Sequence, residues 1–312
     1  MPTLYRETLP SGKYDLLIVS LVHQGPDMLH YIANNLEKYV KGSFLWIAHY
    51  NGPDHDENTL PPWAWLVRDT HATSPWRRSI SFGVIKALTF ALENGVQFTN
   101  VLTLSSGSAF YREFQVPTRP LVCLDTYERQ IDPTADLSHV EAIHVAHLGK
   151  CANYLTSIGS IGWQYQLGGD SDTEFHNLIL ARGFKYIRGN QFSGQMWPYE
   201  VAVMLEKDIK TLYNSHVTTY YVTEEIYFST YAYNYAKLNN IPVGSSVVMI
   251  NWAKGYAVDS VERITSLRED PRFNGPSGPS GSSGPSGPSV PYAACKLSDN
   301  LSDPVRVFIN KA

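Results

Sequence analysis

Residues 14–22 read YDLLIVSLV, an apolar run with almost no polar alternation. A strand can be apolar on both sides only if both faces of its sheet are covered. In one chain that cover comes from helical crossovers between parallel strands. The pattern returns at residues 44–49 (FLWIAH) and 98–104 (FTNVLTL), with residues 63–68 as a shorter candidate between them. Helical periodicity fills the gaps. Gln24-Gly-Pro-Asp opens a helix with Pro26 near its first position, Met28, Leu29, Ile32, Leu36 and Tyr39 form its apolar stripe, and Gly42 ends it. Residues 79–93 set Ile80, Val84, Ala87, Leu88, Ala91 and Leu92 on one side and stop at Gly95. The first hundred residues thus read β-α-β-(β)-α-β. The expected fold class is α/β, a mostly parallel open sheet with helices on both faces.

Past residue 115 the pattern is less regular. Residues 121–123, 142–146 and 184–187 suit short strands. Residues 159–172 are Gly-rich and polar, and Asp172 or Thr173 caps a helix running to Arg182. Helices are expected at 198–213, with Val201, Met204, Leu205 and Ile209 inward, and at 223–238, with Thr223 as N-cap. Residues 275–289 read GPSGPSGSSGPSGPS. A single short block of such triplets cannot sustain a triple helix and is expected to be a flexible loop. After it, residues 292–297 suit a strand and residues 305–309 a short terminal element.

Composition narrows the function classes. A formal charge of −4 and no basic run leave nothing to neutralise a nucleic-acid backbone. Cys123, Cys151 and Cys295 form neither a C-x-x-C pair nor a disulfide framework, which suits a reducing cytosol. Residues 16–22 are too few to span a bilayer, so neither a membrane anchor nor a signal peptide is expected. The 20 tyrosines and 7 tryptophans suit sugar subsites as well as core packing.

In open α/β sheets, ligands bind beyond the carboxyl ends of the strands. Here those ends run into His23-Gln24, Tyr50-Asn51 and Ser105-Ser106-Gly107-Ser108, small and polar as a nucleotide or sugar cleft requires, and as ordinary turns also are. Asp54-His55-Asp56 and Asp170-Ser171-Asp172 have metal-ligand spacing, but neither follows the strand at 98–104, and both suit turns. No phosphate-binding glycine loop occurs, and Ser106-Gly107-Ser108 is not a nucleophile elbow. Without a metal, a leaving diphosphate needs Lys or Arg. The candidates are Lys296, Arg306, Arg77 and Arg78. Glu224 and Glu225 open the helix at 223–238, where a carboxylate favours the helix and is also held at a fixed angle, as a general base must be.

These segments, taken together, resemble the mucin-branching (core-2 and I-branching) N-acetylglucosaminyltransferases and the peptide O-xylosyltransferases over most of the chain. LLIVSLVHQGPDMLHYIANNL is similar to that family's first strand, its following His and its helix. SISFGVIKALTFALENGVQFTNVLTLSSGSAFYRE is similar to its helix, strand and L-x-S-G-S-D-x-P turn, and GNQFSGQMW to its G-S-Q-W-F-x-L segment. Val222-Thr-Glu-Glu-Ile-Tyr-Phe resembles x-P-D-E-x-x-F, Asn251-Trp252 a later W segment, and Tyr292-Ala-Ala-Cys-Lys-Leu with Asp303-Pro-Val-Arg-Val-Phe-Ile the F-A-R-K-F ending. The resemblance implies a GT-A fold, inversion without metal, Glu225 as general base and Lys296 as a cation on the diphosphate. Three positions depart from it: Ala109 stands for the Asp of the turn, Cys295 for the Arg before the lysine, and Thr223 for the Pro.

The expectation is one glycosyltransferase domain over residues 1–312. Residues 1–115 form its nucleotide-sugar half and 116–312 its acceptor and catalytic half. No cofactor is expected beyond a nucleotide-sugar substrate, UDP-linked by resemblance, with a glycan, glycolipid or glycoprotein as acceptor. The donor side comprises His23, Asn51, Arg77, Arg78, Ser106, Lys296 and Arg306; the acceptor side comprises Gln191, Trp197 and Glu224. Absence of the cysteine-rich secretory pattern points to a microbial or viral relative acting in the cytoplasm. Two rivals stand. A glycoside hydrolase needs carboxylates ~5–9 Å apart across a cleft, and neighbours such as Glu224 and Glu225 diverge around a helix. An idle carbohydrate- or nucleotide-sugar-binding protein is consistent with Ala109 and Cys295.

Overall fold

The computed structural model describes residues 10–68, 79–124, 135–136, 178–179, 181–187, 192–214, 223–249, 258, 260–269 and 293–311. For residues 79, 135–136, 187, 211–214, 223–226 and 249 it describes the backbone alone. The first elements follow the sequence pattern closely: β1 (Lys13–Val22), α1 (Pro26–Tyr39), β2 (Val40–Lys41), β3 (Phe44–Tyr50), β4 (Ala64–Arg68), α2 (Ser79–Glu93) and β5 (Gln97–Ser105). Only the two-residue β2 is unforeseen. It continues α1 directly and pairs with β7 (Phe114–Gln115), which follows β6 (Ser108–Phe110).

β1 lies between β3 and β5 and is parallel to both, with β4 parallel outside β3. Its successive residues enter opposite cores. Leu16 and Ile18 pack with Met28, Leu29 and Leu36 of α1, while Leu17 and Val19 pack with Val84, Leu88 and Ala91 of α2. β3 repeats the division, with Trp46 and Ala48 on the α1 side and Leu45 and Ile47 on the α2 side. Two polar groups trapped between layers are bonded: Trp46 Nε1 donates to Ser20 Oγ at 2.6 Å, and Asn35 on α1 exchanges two hydrogen bonds with the Phe110 backbone.

The second half completes the sheet. β8 (Val122–Cys123), β9 (Ala135–Asp136), β10 (Tyr186–Ile187), β11 (Met196–Pro198), α3 (Tyr199–Asn214), α4 (Thr223–Leu238), β12 (Val243–Gly244), β13 (Val248–Met249), α5 (Val261–Glu269), β14 (Ala294–Lys296) and α6 (Pro304–Lys311) follow in order. The seven-stranded sheet runs β12-β8-β11-β5-β1-β3-β4, and only β11 opposes its neighbours. This is an α/β fold with a mostly parallel sheet. α2, α3 and α4 share one face, and α1, α5 and α6 the other. Among the described residues no helix is long and apolar enough to cross a membrane.

Several local expectations change. The helix expected at 198–213 runs from Tyr199 to Asn214, and Met196–Pro198 form an unforeseen strand before it: Met196 and Trp197 pair with Leu102 and Val101, and the ladder ends at Pro198, which has no N–H to give. Residues 292–297 contribute only Ala294–Lys296, and to a separate three-stranded sheet ordered β13-β14-β6. The terminal element is a helix, and a further helix covers Val261–Glu269. The expected strand at 142–146, the Gly-rich stretch at 159–172 and the loop at 275–289 lie outside the described residues.

α3 and α4 are joined by a buried polar triad. Arg182 Nη2 donates to Asp208 Oδ1 at 2.8 Å, Arg182 Nε donates to the other carboxylate oxygen, and Tyr231 Oη donates to the same Oδ2 at 2.7 Å. Burial and the Asp208 charge push the Tyr231 phenol well above its ordinary range. Asp208 is buried but Arg182 keeps 26% of its side chain in contact with water, so Asp208→Asn leaves a partly solvated charge and should cost about 2–3 kcal/mol, below the range for a fully buried pair. Urea denaturation of that variant beside Tyr231→Phe, which removes a single neutral donor at about 1 kcal/mol, checks the ranking; equal losses would show that Arg182 needs no carboxylate.

Candidate functional site

The registers align the strand ends. Val22 pairs with Tyr50, Leu21 with Ser105 and Tyr50 with Arg68, so β1, β3, β4 and β5 finish level at one edge. Strand order reverses between β1 and β5: the chain steps outward through β3 and β4, then returns to the other side of β1. A crevice at such a reversal is where open α/β sheets bind ligands.

Gln24 closes that crevice from below. Its Nε2 donates to Ser106 Oγ at 2.9 Å, and its Oε1 accepts from the His23 amide at 3.2 Å. The Asn51 amide donates to Val22 O at 3.0 Å, which bends the chain after β3 back over β1. Gly52 is required there, since a Cβ would lie 2.3 Å from Gln24 O and 2.4 Å from Tyr50 Oη. His23 is exposed, Asn51 half-buried and Ser106 buried.

On the β5 side the end of the strand is locked by hydroxyls. Ser193 Oγ accepts from the Ser105 amide at 3.1 Å and lies 2.7 Å from Ser108 Oγ, which lies 3.0 Å from Ser105 Oγ. Gly194 makes this approach possible: its φ is +90°, and a Cβ would sit 2.4 Å from Ser246 Oγ. The segments around residues 104–110, 192–197 and 293–297, distant in sequence, therefore meet at one place.

Lys296 sits directly opposite Ser108 in the β6–β14 pairing, half-buried; its Cε lies 3.4 Å, and Asp299 Oδ1 3.2 Å, from where a Gly107 Cβ would be, so a carboxylate shares the turn with the lysine. Leu297 N donates to Gly107 O at 2.6 Å, fixing the turn to the strand that carries the lysine. Arg306 is placed differently from a donor-contacting residue. It is 0% exposed, with Nε donating to Ser298 O at 2.5 Å and Nη2 to Ser106 O at 3.2 Å. Trp197 is likewise 0% exposed, packed against Phe228 in the core rather than offered to an acceptor. Arg77, Arg78 and Gln191 lie outside the described residues, as do Asp170 and Asp172.

Glu224 and Glu225 stand in the first turn of α4, where the backbone is described. Connectivity gives that turn its place. β11 runs opposite to β5 and passes straight into α3 at Tyr199, so α3 starts at the amino edge of the parallel strands. α4 ends at Leu238, and β12, parallel to β8, begins at Val243, so α4 returns to that amino edge. The first turn of α4 is then the end nearer the carboxyl edge.

The loop after β3 is fastened separately. Arg68 Nη1 donates to Asp54 Oδ1 at 2.9 Å, its Nη2 donates to His55 O at 3.0 Å, and its guanidinium lies over the Tyr50 ring. Asp56 Oδ1 accepts from the Asn58 amide, capping the turn at Glu57–Thr59. The two acids thus serve turn and ion-pair roles. His55 is buried edge-on to His30, with ring centroids 5.2 Å apart. Thr59 Oγ1 donates to Asp56 O, so in its 3.0 Å contact with His55 Nε2 the imidazole is the donor.

Sequence reasoning named Gln24 as a strand-end and helix-opening residue, had Ser193 only within the GNQFSGQMW segment, and gave Arg68 no part in the site. Gln24 had a usable signal, its place one residue beyond His23. The others owe their positions to tertiary pairing. Comparison with known proteins gave no matching family model and no matching curated protein.

Burial lowers the His55 pKa below its ordinary 6.5, with His30 and Arg68 acting in the same direction and Asp56 against them. The folded protein therefore binds fewer protons here than the unfolded chain. Stability should fall as pH drops below about 6.5 and level off below the folded pKa. Denaturation midpoints between pH 7.5 and 5 should show a shallower slope in His55→Gln; an unchanged slope would remove His55 as its source.

Proposed function

We propose that the chain is an inverting, metal-independent glycosyltransferase of GT-A type, moving a sugar from a nucleotide-diphosphate donor to an acceptor hydroxyl. The observation that carries this reading is the crevice between β1 and β5. There the Gln24–Ser106 bridge, the Gly107 turn and Lys296 converge at the strand-order reversal, and the connectivity of α4 puts the backbone of its first turn, which carries Glu224 and Glu225 in sequence, toward the same edge.

In this reading the diphosphate lies over the turn at residues 106–108, with Lys296 as its cation. His23 and Asn51, at the ends of β1 and β3, face the nucleoside side. Deprotonated Glu225 takes the proton from the acceptor hydroxyl as its oxygen attacks the anomeric carbon. The bond to the diphosphate oxygen breaks on the opposite face, and the cationic side chains carry the departing charge. The donor is UDP-linked by resemblance, the acceptor a glycan, glycolipid or glycoprotein, and the site of action the cytoplasm.

Ala109 and Cys295, which stand for the Asp and Arg of the resembled family, face each other across β6 and β14, and both are buried. They leave Lys296 as the cation of this reading, and binding without turnover, the idle-module rival, as an outcome of the test below.

Nucleotide release from a panel of sugar nucleotides tests the reading as a whole. Glu225→Gln should slow transfer by ~10²–10⁴-fold while donor binding survives. Glu224 projects about 100° away around the helix, so Glu224→Gln should be far milder. A dead Glu224→Gln beside an active Glu225→Gln would reverse the assignment, and two active variants would sink the mechanism. Lys296→Ala should weaken UDP binding by ~1.5–3 kcal/mol and uridine binding far less; calorimetry showing equal UDP affinity would exclude Lys296 from the diphosphate.

A further inference from the structure

Arg306 presents an unusual account of a buried charge. The guanidinium is wholly buried and cannot lose its proton. Its Nε and Nη2 are bound by the carbonyls of Ser298 and Ser106, and its plane stacks on Tyr31 at 4.7 Å from the ring centroid. Nη1 and the Tyr31 hydroxyl are both buried without a hydrogen-bond partner. Among the described residues no carboxylate pairs with Arg306. Asp303, three residues earlier and just before α6, is engaged by the Ser298 hydroxyl and the Val305 amide.

A buried cation without a counter-charge is costly, and proteins ordinarily supply a carboxylate. Carbonyl oxygens and a ring face orient the guanidinium but leave its full charge in place. That charge sits one peptide behind the Gly107 turn, in a region where water screens little. Burial, opposed by Arg306, pushes the Tyr31 phenol up to about 12, so its hydroxyl stays protonated and adds no negative charge.

We propose that Arg306 is a positioning residue which, through the Ser106 carbonyl, holds the turn at the carboxyl end of β5 and makes the crevice selective for a diphosphate-bearing ligand over its neutral counterpart. This deepens the glycosyltransferase reading and rests on it. Lys296 touches the anion; Arg306 fixes the turn beneath it and supplies a second, unscreened charge. A purely structural clamp would hold the turn equally for charged and neutral ligands, and that difference makes the two roles separable.

The experiment compares UDP with uridine by calorimetry at several salt concentrations, in the wild type, Arg306→Lys and Arg306→Met. The wild type should prefer UDP. Arg306→Met, uncharged and of similar length, should lose about tenfold in UDP affinity, keep its uridine affinity and show a shallower salt dependence; Arg306→Lys should restore most of the preference. Equal loss for both ligands, or no loss, would overturn the proposal, as would a wild type that does not distinguish them. Should Arg306→Met fail to fold, the intact protein decides. The ¹⁵Nε resonance of Arg306 should shift as pyrophosphate is added, with the midpoint seen by calorimetry, and an unmoved resonance at saturation refutes the role. Charge-dependent UDP preference without turnover of any sugar nucleotide would sink the transferase reading and leave this inference standing. Turnover with discrimination intact in Arg306→Met would do the reverse.

Discussion

Parallel pairing of β1 on both of its edges is the constraint from which the rest follows. Leu16, Leu17, Ile18 and Val19 are each 0% exposed, so the middle of that strand is closed to water on both faces. Parallel neighbours cannot be joined by hairpins, and the connections that leave and return to β1's sides cross a face as helices. α1 and α2 are those crossovers, one on each face. The same pairing brings the strand ends level, and it makes β5 return on the far side of β1. The site is therefore a consequence of the sheet: His23, Asn51 and Ser106 come together because Val22, Tyr50 and Ser105 do.

What was legible in the sequence is what local chemistry decides. The helix limits at 79–93 and 223–238 agree with the structure because turn signals such as Gly95 and the apolar periodicity act within a few residues. Each expected apolar position of α1 is buried. β11 was illegible because Met196, Trp197 and Pro198 resemble a helix lead-in until β5 and β8 flank them. α5 was missed because only Ile264 and Leu267 of its nine residues are buried. In the site, strand-end residues were readable and side-chain depth was not. An arginine near a chain end and a tryptophan near a glycine look like surface contacts, yet Arg306 and Trp197 are both enclosed. Charge and shape are written in the residue type; burial is decided by partners far along the chain.

The β6–β14 pair shows how side chains far apart in the chain become one packing unit. Ala109 and Cys295 face each other across that ladder, and both are buried. Burial raises the Cys295 thiol well above its ordinary range despite Arg306 and Arg268 nearby, so it stays a neutral packing group. Cross-strand neighbours are the unit in which a sheet is stabilised. The register keeps Lys296 opposite Ser108, one step from that apolar pair.

A second set of cations explains why α6 can bring an arginine so deep. Lys38 Nζ donates to Asn310 O at 2.9 Å and Ile309 O at 3.3 Å, and Tyr39 Oη donates to Ile309 O at 2.7 Å, so the end of α1 caps the end of α6 where the helix dipole is negative. Arg268 of α5 donates to Tyr111 O at 2.7 Å and Tyr39 Oη at 3.0 Å, and its guanidinium lies over Phe308. Each cation is held by oxygens that carry no net charge. α1 begins two residues past Gln24, under the crevice, and its far end clamps the far end of α6. The opposite end of α6 is fixed by Asp303 at its N-cap and by Ser298. The helix that starts at the cleft thus anchors the helix that delivers Arg306 back to it, and a loop of contacts closes from Gln24 through α1, α6 and Arg306 to Ser106.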